Sequence, residues 1–226
     1  MAYVVGPTWF YGIDYVFDLV SVVVGLLICF FAYRAYRYTS QKKFFYFSAS
    51  FFFIAVAFIS KILATTPVYS KELKVKTIGL VTVTSNIIQP VTWINQFGIS
   101  IARFLMLFAF LILLMVSLKI KDKKIIALFI YFLIISTTFV SVSYIVFHIT
   151  LLLMLGILFL NYRRNYLKVK SKNAKMVMYS FLAIFLSQIF FIFDGLVEHF
   201  YVIGESIQLV GYLILLLAIL NMLFKK

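Results

Sequence analysis

Long apolar runs are the feature of this sequence that most restricts its fold. A helix that crosses a bilayer needs about 20 mostly apolar residues, and runs of that length recur along the chain. Stretches such as Leu111–Val116 do not alternate between polar and apolar positions, so the runs predict helices. Hydrophobic residues make up 65% of the chain and charged residues 12%, with a mean hydropathy of +1.09. A soluble domain has about 25% charged residues, so this composition predicts an integral membrane protein.

Seven spans are predicted, and together they form one all-α transmembrane domain over residues 1–226 with the N-terminus outside and the C-terminus in the cytoplasm. The predicted spans are 13–36, 44–66, 96–118, 124–139, 141–162, 176–200 and 205–224. The fourth is the shortest. Residues 67–95 are predicted as an external connection, either an exposed loop or an interfacial segment. No cleavable signal peptide is expected, because Arg34 is the first basic residue.

The orientation follows from the positions of the Lys and Arg residues, which give the chain its net charge of +14. Cytoplasmic loops carry an excess of Lys and Arg. Sixteen of the 21 basic residues follow spans one, three, five and seven. These are Arg34, Arg37, Lys42, Lys43, Lys119, Lys121, Lys123, Lys124, Arg163, Arg164, Lys168, Lys170, Lys172, Lys175, Lys225 and Lys226. This side of the membrane is therefore expected to be the cytoplasm, with the N-terminus on the other side. The expected location is the cell membrane.

The same basic loops suggest partners. Clustered cations near a membrane surface attract anionic lipids, at about 1 kcal/mol per cation. A cytoplasmic or membrane protein partner is the alternative. No motif supports nucleic-acid binding. With a lone Cys29 and two histidines, the sequence predicts no metal site, cofactor or catalytic residue, and an enzyme is the less favoured class.

Ionisable groups inside a bilayer are costly, and each is therefore a candidate functional residue. Five of them lie on five predicted helices, roughly 7–11 Å below the outer boundary at 1.5 Å per residue. These polar-layer residues are Asp18, Lys61, Arg103, His148 and Asp194. Residues nearer the surface would form an outer mouth: Asp14, Glu198, Glu205 and Gln208.

Helical spacing predicts that these side chains face inward, since residues at i, i+4, i+7 and i+11 share a stripe. One such stripe is Asp14, Asp18, Ser21 and Gly25, and another is Ser187, Phe191, Asp194 and Glu198. The layer could be a ligand pocket that opens outward, or a structural clamp built on an Arg103–Asp194 or Arg103–Asp18 bridge. Lys61 could instead extend to the membrane surface, and His148 could be a hydrogen-bonded core residue. Trp9 and Tyr201 suit an outer aromatic belt.

Several seven-helix families lack support in the sequence. Microbial rhodopsins need a lysine in the last helix, and 205–224 contains none, so retinal is not expected. Membrane zinc hydrolases of the ceramidase and adiponectin-receptor group need three histidines, whereas this chain has two, so the set of zinc ligands is incomplete. The tail Tyr201-Val202-Ile203-Gly204 with Gln208–Leu213, and the segment Tyr33–Tyr38, resemble uncharacterised archaeal seven-helix membrane proteins. Similar bundles serve as the input modules of membrane sensors.

A receptor-like or sensory membrane module is therefore the leading functional hypothesis. The inner parts of the spans, such as Val22–Phe31 and Met106–Val116, are almost wholly apolar, whereas a transporter needs a polar path. A small transporter or proton-coupled carrier, and a structural subunit of a membrane complex, are the alternatives.

Overall fold

The computed structural model describes residues 7–10, 12–77, 88–120, 122–138, 143–197 and 199–224. Within those ranges the regular secondary structure is all helical, with a 3-10 turn at Thr8–Phe10 followed by seven α-helices. The helices are α1 (Ile13–Thr39), α2 (Lys42–Thr77), α3 (Ile88–Leu118), α4 (Lys123–Thr138), α5 (Ser143–Val169), α6 (Lys172–Ile192) and α7 (His199–Phe224). The predicted all-α class is confirmed.

Six of these helices are long and apolar enough to cross a membrane: α1, α2, α3, α5, α6 and α7. The fourth, α4, has 16 residues. At 1.5 Å per residue it spans about 24 Å, which is less than the roughly 30 Å hydrocarbon core. The chain is thus a multi-pass membrane protein with six long apolar helices and one shorter apolar helix in its described part.

The boundary predicted between spans six and seven is wrong. The sixth span was expected to reach residue 200, but α6 ends at Ile192 and α7 begins at His199. Between them, Phe193–Leu196 form a turn in which the Leu196 N–H donates to the Phe193 carbonyl oxygen, with an N···O distance of 3.0 Å. The physical reason is the Asp194-Gly195 pair, a dipeptide that favours turns over helix continuation.

The predicted external connection is also shorter than expected. Helix α2 continues to Thr77 and α3 already begins at Ile88, so both helices extend into the segment predicted as a loop. Residues 78–87 lie outside the described part of the chain.

Six helices form a closed ring, in which each packs against the next in the order α1, α2, α3, α5, α6, α7 and back to α1. Helix α4 lies outside this ring, against α3 and α5. Because consecutive helices run in opposite directions, the N-termini of α1, α3, α5 and α7 meet the C-termini of α2 and α6. We call this the cavity end. The opposite end, which we call the basic end, includes Arg37, Lys43, Lys124, Lys168 and Lys172.

The half of the ring nearer the basic end is a dense apolar core. Its fully buried side chains include Ile28, Phe51, Phe110, Leu155, Phe181 and Leu215.

Small residues allow close approach between helices, as is usual in membranes. A Cβ on Gly98 of α3 would lie 2.6 Å from the Ala64 Cβ of α2, and one on Gly211 of α7 would lie 3.1 Å from the Ser180 carbonyl of α6. Because the half nearer the basic end is filled by apolar side chains, the ionisable side chains of the ring lie toward the cavity end.

Candidate functional site

Lys61 joins three helices at the cavity end. Its Nζ atom on α2 lies 2.9 Å from Asp18 Oδ1 on α1 and 2.7 Å from Glu205 Oε1 on α7. The two carboxylates are almost fully buried, while the Lys61 side chain is 27% exposed. Buried charges must be paired and hydrogen-bonded to be tolerated. Lys61, Asp18 and Glu205, here called the ion cluster, satisfy that requirement across the α1–α2–α7 junction.

The sequence stripe on α1 faces the interior of the ring. The structure buries Asp14, Asp18, Ser21 and Gly25. Asp14 lies in the first turn, where its Oδ1 accepts hydrogen bonds from the N–H groups of Gly12 and Tyr15 at 2.9 and 3.0 Å. A carboxylate in the first turn of a helix also interacts favourably with the helix dipole. Asp14 is therefore held in place one turn from the ion cluster.

A cavity of about 140 Å³ lies beside the ion cluster and is lined by all six ring helices. Six of the residues predicted for the polar layer and the outer mouth line it: Asp14, Lys61, Arg103, His148, Glu205 and Gln208. The remaining lining is mostly apolar and includes Ala57, Phe58, Ala102, Met106, Phe147, Leu151 and Phe191. The cavity thus combines an apolar body with convergent polar groups, as small-molecule sites do.

Arg103 of α3 lies against two aromatic rings on α5. Its Cζ atom is 5.5 Å from the ring centroid of Tyr144 and 5.8 Å from that of Phe147. A guanidinium within about 6 Å of an aromatic face is attracted by the ring quadrupole. Of the two carboxylates predicted as partners of Arg103, Asp18 pairs with Lys61, and Asp194 accepts a hydrogen bond from the Tyr144 hydroxyl. The clamp built on Arg103 stays a prediction.

Asp194 lies two residues beyond the end of α6 rather than within a span. Its burial raises the pKa of the carboxyl group, and hydrogen bonds from the Tyr144 hydroxyl and the Gly195 N–H partly offset that increase. The turn at residues 193–196 therefore places Asp194 beyond the helix in which it was predicted to lie. Glu198, predicted for the outer mouth, lies outside the described residues.

His148 of α5 is buried and held by one polar contact and three rings. Its Nδ1 atom lies 2.8 Å from Gln188 Oε1 on α6. The ring centroids of Tyr144, Phe147 and Phe191 are 4.5, 4.8 and 5.0 Å from that of His148. Sequence reasoning did not single out Gln188, although it adjoins Ser187 on the predicted polar stripe.

Tyr201 corrects another prediction. It was assigned to an outer aromatic belt, but it is only 7% exposed and its ring lies 5.8 Å from Lys61 Nζ. The reason is that α7 begins at His199, which places Tyr201 in the first turn and directs it into the ring. Trp9, by contrast, is 57% exposed.

Metal coordination finds no support within the described ranges, where no group of three or more His, Cys, Asp or Glu side chains is arranged to hold an ion. The chemistry available at the cavity is instead hydrogen bonding, charge pairing and apolar contact.

Fold and site together define a multi-pass helical membrane protein with a partly polar cavity at one end. Residues 15–70, about a quarter of the chain, match a family of unknown function (DUF7521). The matched segment covers most of α1 and α2 and includes both Asp18 and Lys61. No curated protein and no solved structure matches the chain. The resemblance to archaeal seven-helix proteins and sensor modules stays a prediction.

Proposed function

We propose that this protein is a receptor-like sensory module, which binds a small molecule in the cavity and transmits its presence through the helix ring. The observation that carries the proposal is the position of Lys61. It lines the cavity and at the same time holds α1 and α7 to α2 through Asp18 and Glu205. A molecule that enters the cavity therefore acts on the contact that fixes three helices relative to one another.

The packing toward the basic end favours sensing over transport. A carrier needs a polar route through the membrane, and intramembrane polar relays provide such routes. Below the cavity, Ile54, Phe110, Leu155, Phe181 and Leu215 are at most 1% exposed and fill the space between the helices. This apolar plug supports a site that opens toward one side of the membrane.

The proposed orientation places the cavity end outside and the basic end in the cytoplasm. It rests on the excess of Lys and Arg at the basic end. In this orientation the end of α5 that carries Arg163, Arg164 and Lys168, and the start of α6 at Lys172, would contact anionic lipid head groups. A membrane or cytoplasmic protein would receive the signal at the same end.

Native mass spectrometry on protein extracted with its surrounding lipid in polymer nanodiscs tests the proposal. We expect the wild-type protein to release a small molecule at up to one per chain. The Ala102→Leu variant fills the cavity and should release none, because Ala102 lines it. Ile101→Phe is the matched control, since Ile101 is adjacent in sequence but exposed on the outer surface of the ring. Equal retention in wild type and Ala102→Leu would contradict a ligand site and favour the structural-subunit alternative.

Proteoliposomes separate the sensor from the carrier. With a pH-sensitive dye inside and an imposed potassium diffusion potential, we expect proton entry at the rate of protein-free vesicles. Faster entry that is lost in Ala102→Leu and kept in Ile101→Phe would contradict the sensory proposal and favour a proton-coupled carrier.

A further inference from the structure

The volume of the cavity limits the size of its ligand. An engineered protein cavity of about 150 Å³ lined by apolar side chains accommodates benzene, and the cavity here measures about 140 Å³. A molecule with one six-membered ring therefore fits inside the cavity. Phe58, Phe147 and Phe191 line the space, and such rings favour offset or edge-to-face contact with another ring.

The hydrogen-bond pattern around His148 defines the polar group that the ligand must carry. Gln188 Nε2 donates to Ser187 Oγ at 3.0 Å, which leaves Gln188 Oε1 toward His148 Nδ1 at 2.8 Å. A carbonyl oxygen only accepts hydrogen bonds, so Nδ1 carries the hydrogen. The neutral ring then offers Nε2 as an acceptor. Because His148 lines the cavity, this acceptor is complementary to a ligand hydroxyl.

The charges on the cavity wall argue for a neutral ligand. Lys61 and Arg103 line it together with Asp14 and Glu205, so the wall itself carries two groups of each sign. Asp18 pairs with Lys61 from behind the wall, so the site as a whole holds two basic and three acidic side chains. An anionic ligand would add to this acidic excess at a site of low polarity, which is costly. A cationic ligand would compete with Lys61 for Glu205, which also lines the cavity.

We infer that the cavity binds a neutral single-ring aromatic molecule with one hydroxyl group, a phenol, whose hydroxyl donates to His148 Nε2. The inference rests on the proposed function and names the ligand class for that same site. The ring of the phenol lies among Phe58, Phe147 and Phe191, and the ion cluster forms the adjacent wall.

The test measures binding of four fluorinated probes to the full chain in nanodiscs by ¹⁹F NMR. The probes are 4-fluorophenol, fluorobenzene, 4-fluorobenzoate and 4-fluorobenzylammonium. Empty nanodiscs and the Ala102→Leu variant measure partition into lipid. We expect 4-fluorophenol to bind about two- to twelvefold more tightly than fluorobenzene, the range of one hydrogen bond. In His148→Phe, which keeps a ring but removes the acceptor, this ratio should fall to about one.

A second readout does not depend on a substituted protein folding correctly. The chain has two histidines, so ¹⁵N-histidine labelling gives two ring systems, and the His199→Asn variant assigns them. We expect His148 as the Nδ1–H tautomer, with a change at Nε2 when 4-fluorophenol is added. An Nε2–H tautomer, or no change at Nε2 under saturating probe, overturns the inference.

The other outcomes separate the two proposals. If 4-fluorobenzoate or 4-fluorobenzylammonium binds best and Ala102→Leu abolishes that binding, the site stands and the phenol class is wrong. If no probe binds while wild-type nanodiscs still retain a molecule, the class is again wrong and the sensory proposal stands. If no probe binds and nothing is retained, both proposals fail.

Discussion

The Lys61 ammonium nitrogen lies 2.7 Å from Glu205 Oε1, a contact that joins α2 to α7 across 144 positions of the sequence. The same nitrogen lies 2.9 Å from Asp18 of α1. Because all three side chains are at the cavity wall or directly behind it, the ion cluster links the contents of the cavity to the arrangement of three helices.

Removing the cation from this cluster should destabilise the fold. Lys61→Met leaves the buried carboxylates of Asp18 and Glu205 without their partner. Breaking a buried ion pair on one side costs about 3–5 kcal/mol, and we expect a loss near 3 kcal/mol because Lys61 is partly exposed. Unfolding by denaturing detergent, followed by circular dichroism, measures it. Lys42→Met, an exposed lysine on the same helix, should change the free energy of unfolding by less than about 0.5 kcal/mol; equal losses in the two variants would count against the cluster.

The crossing of α2 and α3 predicts a specific steric conflict. In Gly98→Ala the new Cβ would lie 2.6 Å from the Ala64 Cβ, so the helices must separate. Overpacking of this kind costs about 1–3 kcal/mol. Adding Ala64→Gly should recover part of the loss, with a coupling energy of about 1 kcal/mol in a double-mutant cycle.

Gly25→Ala is the matched control for this crossing. Its Cβ would lie 3.4 Å from the Ala55 Cβ, which is ordinary contact, so a smaller loss is expected. A larger loss in Gly25→Ala than in Gly98→Ala would be inconsistent with the packing described.

The pH dependence of stability should reflect Asp194. Burial raises the pKa of this carboxyl group in the folded state above its usual value near 4. The folded state therefore binds more protons than the unfolded state in the interval between the two pKa values. Stability should fall as the pH rises from about 4 through that interval, and Asp194→Asn should remove this contribution.

The test is to measure the thermal unfolding midpoint of wild type and of Asp194→Asn between pH 4 and pH 7, and to compare how steeply each midpoint changes with pH. Asp122→Asn, at an exposed carboxylate, should keep the wild-type slope. A midpoint that rises with pH more steeply in wild type than in Asp194→Asn would reverse the expected sign and refute the assignment.

The orientation can be tested with single cysteines in a Cys29→Ser background. Cys29 is the only native cysteine. A membrane-impermeant maleimide added to intact cells should label Gly195→Cys, in the exposed turn at the cavity end, and should not label Lys172→Cys at the basic end until the cells are opened. The reverse pattern would place the basic end outside.

The sequence predicted the helical class and six of the residues that line the cavity, because both depend on local pattern. Apolar runs identify spans, and the 3.6-residue period places Asp14 and Asp18 on a buried face of α1. The end of α6 was missed because apolar residues continue through Phe193, and the Asp194-Gly195 turn signal was not weighed against them.

The pairing within the site could not be read from the sequence. Lys61, Arg103, Asp18 and Asp194 allow several ion pairs at similar depth, and the choice depends on how the ring closes. Contact between α1 and α7 brings Glu205 beside Lys61. Gln188 was overlooked because it lies one position off the predicted stripe of Ser187 and Phe191. Its partner His148, whose Nδ1 lies 2.8 Å from Gln188 Oε1, is on another helix, and the sequence does not show that contact.

The central claim is that an occupied cavity changes how α2 and α7 are arranged at the opposite end of the ring. Spin labels at Lys43→Cys and Met222→Cys, both exposed near the basic end, report this distance by pulsed electron paramagnetic resonance in the Cys29→Ser protein. With 4-fluorophenol at a concentration that ¹⁹F NMR shows to be saturating, we predict a change of about 1–2 Å in the wild-type cavity and none in Ala102→Leu. An unchanged distance in the saturated protein would contradict sensing through the ion cluster.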